Sequence, residues 1–161
     1  MNRILLTCFE GKDNSSELIV KNAAVDCRKL ILPNDKEKSA ELLRKTLKDK
    51  SIVCVVMLGQ KGGICDKIAV EPAAKRGNSM LHTPMDVTVC RDVLKNNGYN
   101  AYISKGCGNS YCNHIYYECL ETGVNCIFLH VPPVKGISDT KKIVNATEAF
   151  LKEISGIPAI L

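Results

Sequence analysis

The sequence predicts a three-layer α/β/α sandwich with a mostly parallel central sheet, built as one domain over residues 1–161. Two patterns predict it. Short β-branched runs bounded by turn formers alternate with longer segments whose apolar residues return at helical spacing. Alternation of that order packs helices onto both faces of a sheet. The strand runs are also apolar at successive positions, as in strands covered from both sides.

Arg3 to Phe9 opens the sheet as a buried strand. Asn14, with Glu17 three residues on, reads as a capping box for a helix running to about Ala24. Lys29 to Leu32 is the next strand, and Asp35 to Lys48 the next helix, with Ala40, Leu43 and Leu47 on one stripe. Ser51 to Leu58 is a third strand, expected with the first two at the centre of the sheet. Asp86 to Asn97 is helical, with Cys90, Val93 and Leu94 inward and Gly98 as its stop. A strand at Ala101 to Ser104 follows. Tyr111 to Thr122 is a helix through Ile115, Tyr116, Cys119 and Leu120, ended by Gly123, and Cys126 to Val131 is a strong strand. Asp139 to Ser155 closes the chain as an amphipathic helix through Ile143, Thr147, Phe150, Leu151 and Ile154.

Composition narrows the function classes. With 45% apolar and 24% charged residues, the chain has the make-up of an ordinary soluble domain. Its apolar runs, such as Ile52 to Leu58, fall far short of the ~20 residues that cross a bilayer, so no membrane partner is expected. The opening MNRILLTCFEG is too short in apolar residues for a secretory signal, which predicts a cytoplasmic protein. Nine cysteines, an odd number spread evenly, then read as reduced thiols, most of them small apolar core residues. The net charge of +5 comes from interleaved Lys and Asp/Glu, as in DKEKSAELLRKTLKDK, which is a solvated helix face. With no Trp and 5% aromatic residues there is no platform for stacking bases, and no nucleic-acid partner is expected.

Chemistry in such sheets gathers where strands end and helices begin. ISKGCGNSYCNHIYY is one such junction: a strand ends at Ser104, a loop with Gly106 and Gly108 follows, and a helix opens near Cys112. The positive end of a helix dipole and its unpaired N–H groups favour thiolate there. The helix carries the chain away by ~16 Å and the strand after it returns by about as much, which brings His130 back beside Cys112. An imidazole level with a thiol can act as base to a nucleophile. The same spacing also fits a buried thiol and a satisfied core histidine.

GQKGGICDKIAVEPAAKRGN is the second junction. Its glycines allow close backbone approach, but it lacks the Gly-Lys-Ser/Thr ending of a phosphate loop. Glu71 lies between Ile68-Ala69-Val70 and Pro72-Ala73-Ala74, either as an interior carboxylate that needs a partner or as an edge-strand glutamate facing water. Cys107, Cys112, His114, Cys119 and Cys126 lack the paired short knuckles of structural zinc, so no metal and no other cofactor is expected.

Together these segments resemble the pyroglutamyl peptidases, also called pyrrolidone-carboxylate peptidases, cysteine enzymes that remove an N-terminal 5-oxoproline from peptides. SKGCGNSYCNHIYY followed by IFLHVPP is similar to the family's Ser, Ala-Gly turn, Cys-Asn-His segment and later His-Val/Ile-Pro. GQKGG with IAVEPAA is similar to its Gly-Gln-Ala-Gly-Gly turn and Glu-bearing stretch, and ILLTCFE with Asn14 and Ser15 to its first strand and substrate loop. The resemblance implies that Cys112 is the nucleophile, His130 the general base and Glu71 the third member of the triad. It implies oxyanion donors among the backbone N–H groups near Gln60 and Cys112, and substrate-binding positions at Phe9, Gln60, Ser110 and Tyr111. A peptide substrate and a dimer or tetramer are implied as well.

The chain also departs from that family. It is several tens of residues shorter, losing length after Phe9 and between Glu71 and Asp86. Phe9 matches the first of two phenylalanines that clamp the oxoproline ring, but Gly11 and Lys12 stand where the second belongs. Ser110 replaces an aromatic residue, and the family's Arg-Ile-Pro-Asp stretch has only Arg76, or Met80 and Leu81, near its place. The reading is therefore a thiol peptidase acting on pyroglutamyl peptides. Its alternatives are another small acyl or cyclic-amide specificity on the same fold, a non-catalytic binding homologue, and a zinc or redox protein.

Overall fold

A computed structural model of the chain describes residues 3–108 and 110–155; Asn109 of the glycine loop and both ends of the expected domain lie outside the described residues. The elements follow as β1 (Ile4–Phe9), α1 (Ser15–Asn22), β2 (Arg28–Leu32), α2 (Lys36–Thr46), β3 (Cys54–Gln60), β4 (Lys67–Glu71), β5 (Ala73–Arg76), β6 (Ser79–His82), α3 (Val87–Asn96), β7 (Asn100–Ile103), α4 (Tyr111–Glu121), β8 (Asn125–Val131) and α5 (Thr140–Ile154). Each helix starts on a short polar residue whose side chain accepts a backbone N–H of the first turn: Asn14, Asp35, Asp86, Ser110 and Asp139. The expected capping box at Asn14 is replaced by a different bond. The Asn14 N–H is taken by the Gly11 carbonyl, and Glu17 reaches past it to accept from the Gly11 N–H at 2.7 Å.

Six strands form the main sheet in the order β2-β1-β3-β8-β4-β7, and β5 and β6 form a separate antiparallel hairpin. β2, β1, β3 and β8 run parallel. β4 and β7 are parallel to each other, and β4 pairs antiparallel with β8. The sheet is thus mostly parallel with one internal reversal, at the β8/β4 seam. Alternate residues of each strand feed two cores. Leu6, Val56, Val70 and Leu129 face α1, α3 and α5, while Leu5, Val55, Met57 and Phe128 face α2, α4 and the hairpin. This is the three-layer α/β/α arrangement.

Two expectations are corrected and one element is added. β2 lies at an edge rather than at the centre, with Arg28, Lys29 and Ile31 exposed, because its outer side has no neighbouring strand to cover it. The stretch ending at Glu71 is an interior strand and not an edge facing water, since β8 and β7 flank it on either side. The β5–β6 hairpin lies between Glu71 and Asp86, where the sequence pattern assigns no element. Among the nine cysteines, Cys8, Cys54, Cys90, Cys119 and Cys126 are buried. Among the described residues no helix is long and apolar enough to cross a membrane.

β3 narrows at Gly59, where a Cβ would stand 2.6 Å from Phe128 Cζ and 2.8 Å from Cys112 Sγ. Overpacking of that kind destabilises a core by about 1–3 kcal/mol. Gly59→Ala should therefore lower stability by that amount in urea unfolding. Gly62→Ala, with nothing within 4 Å of the added methyl, should leave it nearly unchanged.

Candidate active site

The β8/β4 seam places a carboxylate beside an imidazole. Its register pairs Ala69 with His130 and Glu71 with Phe128, so Glu71 and His130 are diagonal neighbours on one face of the sheet. The His130 Nδ1 and Glu71 Oε1 atoms are 2.7 Å apart. A carboxylate only accepts, so Nδ1 is the donor of this bond, and in the neutral imidazole Nε2 is then the lone-pair nitrogen. Glu71 is 5% exposed, and its second oxygen, Oε2, is buried without a hydrogen-bond partner. The Lys61 ammonium lies 4.0 Å from Oε1 on the solvent side. Phe128 supports the imidazole from the same face, with ring centroids 4.8 Å apart.

Cys112 comes to this pair from the helix layer that covers this face of the sheet. It lies in the first turn of α4, where N–H groups have no intrahelical acceptor, and its side chain drops toward the space left by Gly59. Cys112, His130, Glu71 and Phe128 together line a small gap, which Cys107 and Tyr116 also border. Above it opens a cavity of about 690 Å³ lined by Gln60, Lys61, Tyr102, Ser104, Lys105 and Cys107 together with Glu71, Cys112 and His130. No hydrogen bond joins Cys112 Sγ to the imidazole. The structure thus brings the carboxylate and imidazole into contact and sets the thiol on the same wall.

The thiol is not the resident thiolate that its helix position led us to expect. Burial pushes the Cys112 pKa up to about 12, and the negative charge of Glu71 adds to the rise. The residue's own N–H and the Ser110 hydroxyl act in the other direction and are outweighed. Desolvation beats the helix end because Sγ sits deep against Gly59 rather than in open solvent.

The remaining predicted positions divide. Ser110 lines the cavity and caps α4, accepting from the Asn113 N–H at 3.3 Å. Gln60 lines the cavity too, but its side-chain oxygen accepts from the Ser15 N–H at 3.0 Å and anchors the start of α1. Phe9 and Tyr111 lie in the packing beneath the cavity instead of on its wall. Phe9 is 4% exposed and meets Tyr111 edge to face at 5.0 Å, while the Tyr111 hydroxyl binds the Pro33 carbonyl at 2.5 Å. Arg76 is held by Glu118 at 2.5 Å and lies over the Tyr117 ring, away from the cavity, and Met80 is exposed on β6. No cluster of three or more His, Cys, Asp or Glu side chains among the described residues is placed to hold a metal ion. A second cleft, of about 760 Å³, lies at the other end of the strands, between Ile4, Cys54, Met85 and Leu151, remote from Cys112.

No protein-family model and no curated protein matches the sequence. Solved structures do match. Pyroglutamyl peptidase I from Bacillus amyloliquefaciens superposes with a TM-score of 0.84 at 20% identity, over 98% of this chain and 97% of that one. The pyrrolidone carboxyl peptidase of Fervidobacterium islandicum gives 0.85 at 23% identity, over 96% and 99%. That of Thermococcus litoralis gives 0.73 at 20% identity, over the whole of both chains. The chain has the pyroglutamyl-peptidase fold.

On this pyroglutamyl-peptidase fold, Gly59, Lys61, Lys105 and Cys107 belong to the two junction segments that the sequence singled out, with Gly59 as the close backbone approach its glycines allowed. Phe128, on the floor under Sγ, and Tyr102, on the wall, had no signal of their own as site residues and come there through strand pairing.

The raised Cys112 pKa sets its reactivity with alkylating agents. Because the group stays protonated until pH approaches 12, the rate of iodoacetamide labelling at Cys112 should keep climbing about tenfold per pH unit from pH 7 beyond pH 9. Mass-spectrometric labelling that levels off near neutrality would contradict this.

Proposed function

We propose that this protein is a cysteine peptidase that removes pyroglutamate from peptide N-termini, with Cys112 as nucleophile, His130 as general base and Glu71 as the residue that orients it. The observation that carries the reading is the 2.7 Å contact between Glu71 and His130 beside Cys112 on one cavity wall. The pyroglutamyl-peptidase fold supports the choice of acyl group. A cytoplasmic location and assembly into dimers or tetramers belong to the same proposal.

The reaction starts from a neutral thiol. As Sγ attacks the carbonyl that follows the oxoproline ring, its proton passes to His130 Nε2, and Glu71 stabilises the imidazolium through Nδ1–H. Charge develops on the carbonyl oxygen, where the free N–H groups at the start of α4 can meet it. The Lys61 N–H cannot contribute, since it donates to the Val131 carbonyl at 2.9 Å. The tetrahedral intermediate collapses with cleavage of the C–N bond, and the leaving amine takes the proton from His130. Water then attacks the thioester with His130 as base, the C–S bond breaks, and Sγ is reprotonated as pyroglutamate departs.

One observation favours a second reading, a binding protein on the same fold: the thiol is raised and makes no hydrogen bond to the imidazole. A chromogenic pyroglutamyl anilide separates the two. The reduced protein should release the amine, Cys112→Ala should abolish release, and Glu71→Gln should lower kcat by about 10²–10⁴ by freeing the imidazole to take the wrong tautomer. Retention of the anilide without turnover by the wild type would instead establish the binding role.

A further inference from the structure

The cavity carries two ammonium groups that the proposed chemistry does not use. Lys61 follows β3 and Lys105 follows β7, and both line the 690 Å³ cavity. The Lys61 side chain is 40% exposed, with Nζ 4.0 Å from Glu71 Oε1. Among the described residues Glu71 is the one acidic side chain on this wall, and Oε1 already accepts from His130. α4, 11 residues long with no acidic residue in its first turn, turns its N-terminus toward the same space and adds partial positive charge. Two lysines and a helix end share this lining with one buried anion, so the open part of the cavity is set to receive a negative group.

The oxoproline ring is uncharged, so that group must lie on the leaving side of the scissile bond. In a free pyroglutamyl dipeptide the α-carboxylate is two bonds from the departing nitrogen. A lysine, a flexible point charge on a four-carbon stem, can follow such a carboxylate without a fixed geometry. Resting on the function proposed above, we propose that Lys61 and Lys105 select substrates whose leaving amine carries a carboxylate next to the scissile bond, free pyroglutamyl-amino acid dipeptides first among them. The lysines recognise the product-side acid and take no part in bond making.

The test compares kcat/KM for pyroglutamyl-alanine and its C-terminal amide in the wild type, Lys61→Met, Lys105→Met and the double variant, at low and high salt. The acid-to-amide ratio within one variant cancels any change in the chemistry itself, including one caused by removing Lys61 from beside Glu71. In the wild type at low salt the acid should be preferred by about three- to tenfold, as expected for two solvent-exposed charge pairs. The preference should shrink in ~1 M salt, where screening acts within about 3 Å, and approach one in the double variant. Equal rates for acid and amide in the wild type, or an acid preference that outlasts both lysines, overturns the proposal. Turnover of the neutral anilide without an acid preference defeats the lysine assignment alone, whereas inertness toward all three substrates defeats the peptidase reading and this assignment with it.

Discussion

A carboxylate placed inside a sheet constrains everything around it. Glu71 is flanked by strands on both sides and covered by α4, and the imidazole of His130 is its hydrogen-bonded partner. An ionised carboxylate buried without a partner would be opposed by several kcal/mol of lost solvation. The β8/β4 register is therefore tied to this contact. A slip of one residue would turn Glu71 toward the other face, among Leu129 and the helices α1, α3 and α5, where nothing in the apolar core could accept its charge. The same register that keeps the core viable fixes the imidazole with Nδ1 inward and Nε2 outward.

Strand order adds a second dependence. β8 lies between β3 and β4 in the sheet, yet comes long after both in the chain. Until β8 is in place, β4 has only β7 beside it and Glu71 has no histidine. The helix that carries Cys112 leads directly into β8, separated from it by a short turn, so one supersecondary unit delivers both the thiol and the imidazole to the carboxylate. The strand that joins the two parts of the sheet also supplies the imidazole of the site. Gly59 makes the fit possible from the other side, because β3 can approach Sγ only where it has no side chain.

Most of this fold is legible in the sequence because its signals are local. The buried runs at β1, β3 and β8 and the stripes of α2, α3 and α5 show their periodicity directly, and the capping residues mark the helix starts. What was not legible depends on distant partners. The direction of β4 is set by β8, some sixty positions later, and no feature of Lys67–Glu71 encodes it. The four-residue strands β5 and β6 carry charged and exposed residues because the hairpin presses only one face onto α4, so they lack a strand signature. Edge exposure of β2 follows from what lies next to it. At the site, helix and strand lengths paired Cys112 with His130 and the family resemblance added Glu71, but the burial of Phe9 and the diversion of Gln60 toward Ser15 arise from packing that a single sequence does not display.

The neutral thiol and the charged carboxylate together explain why the proposed chemistry would run through proton transfer during attack. A resident thiolate would put a second negative charge near Glu71 in a poorly solvated space, which is the unfavourable arrangement that keeps the Cys112 pKa high. Passing the proton from Sγ to His130 leaves the total charge of the three groups unchanged. It creates an imidazolium in contact with Glu71, where it is stabilised, and a sulfur whose charge flows onto the carbonyl oxygen as the C–S bond forms. The penalty for burying the thiolate is then met only while substrate is present to take the charge away. On this account the burial of Cys112 guards the thiol from adventitious oxidants and alkylators between turnovers, while the Glu71–His130 contact keeps a base ready for the moment of attack.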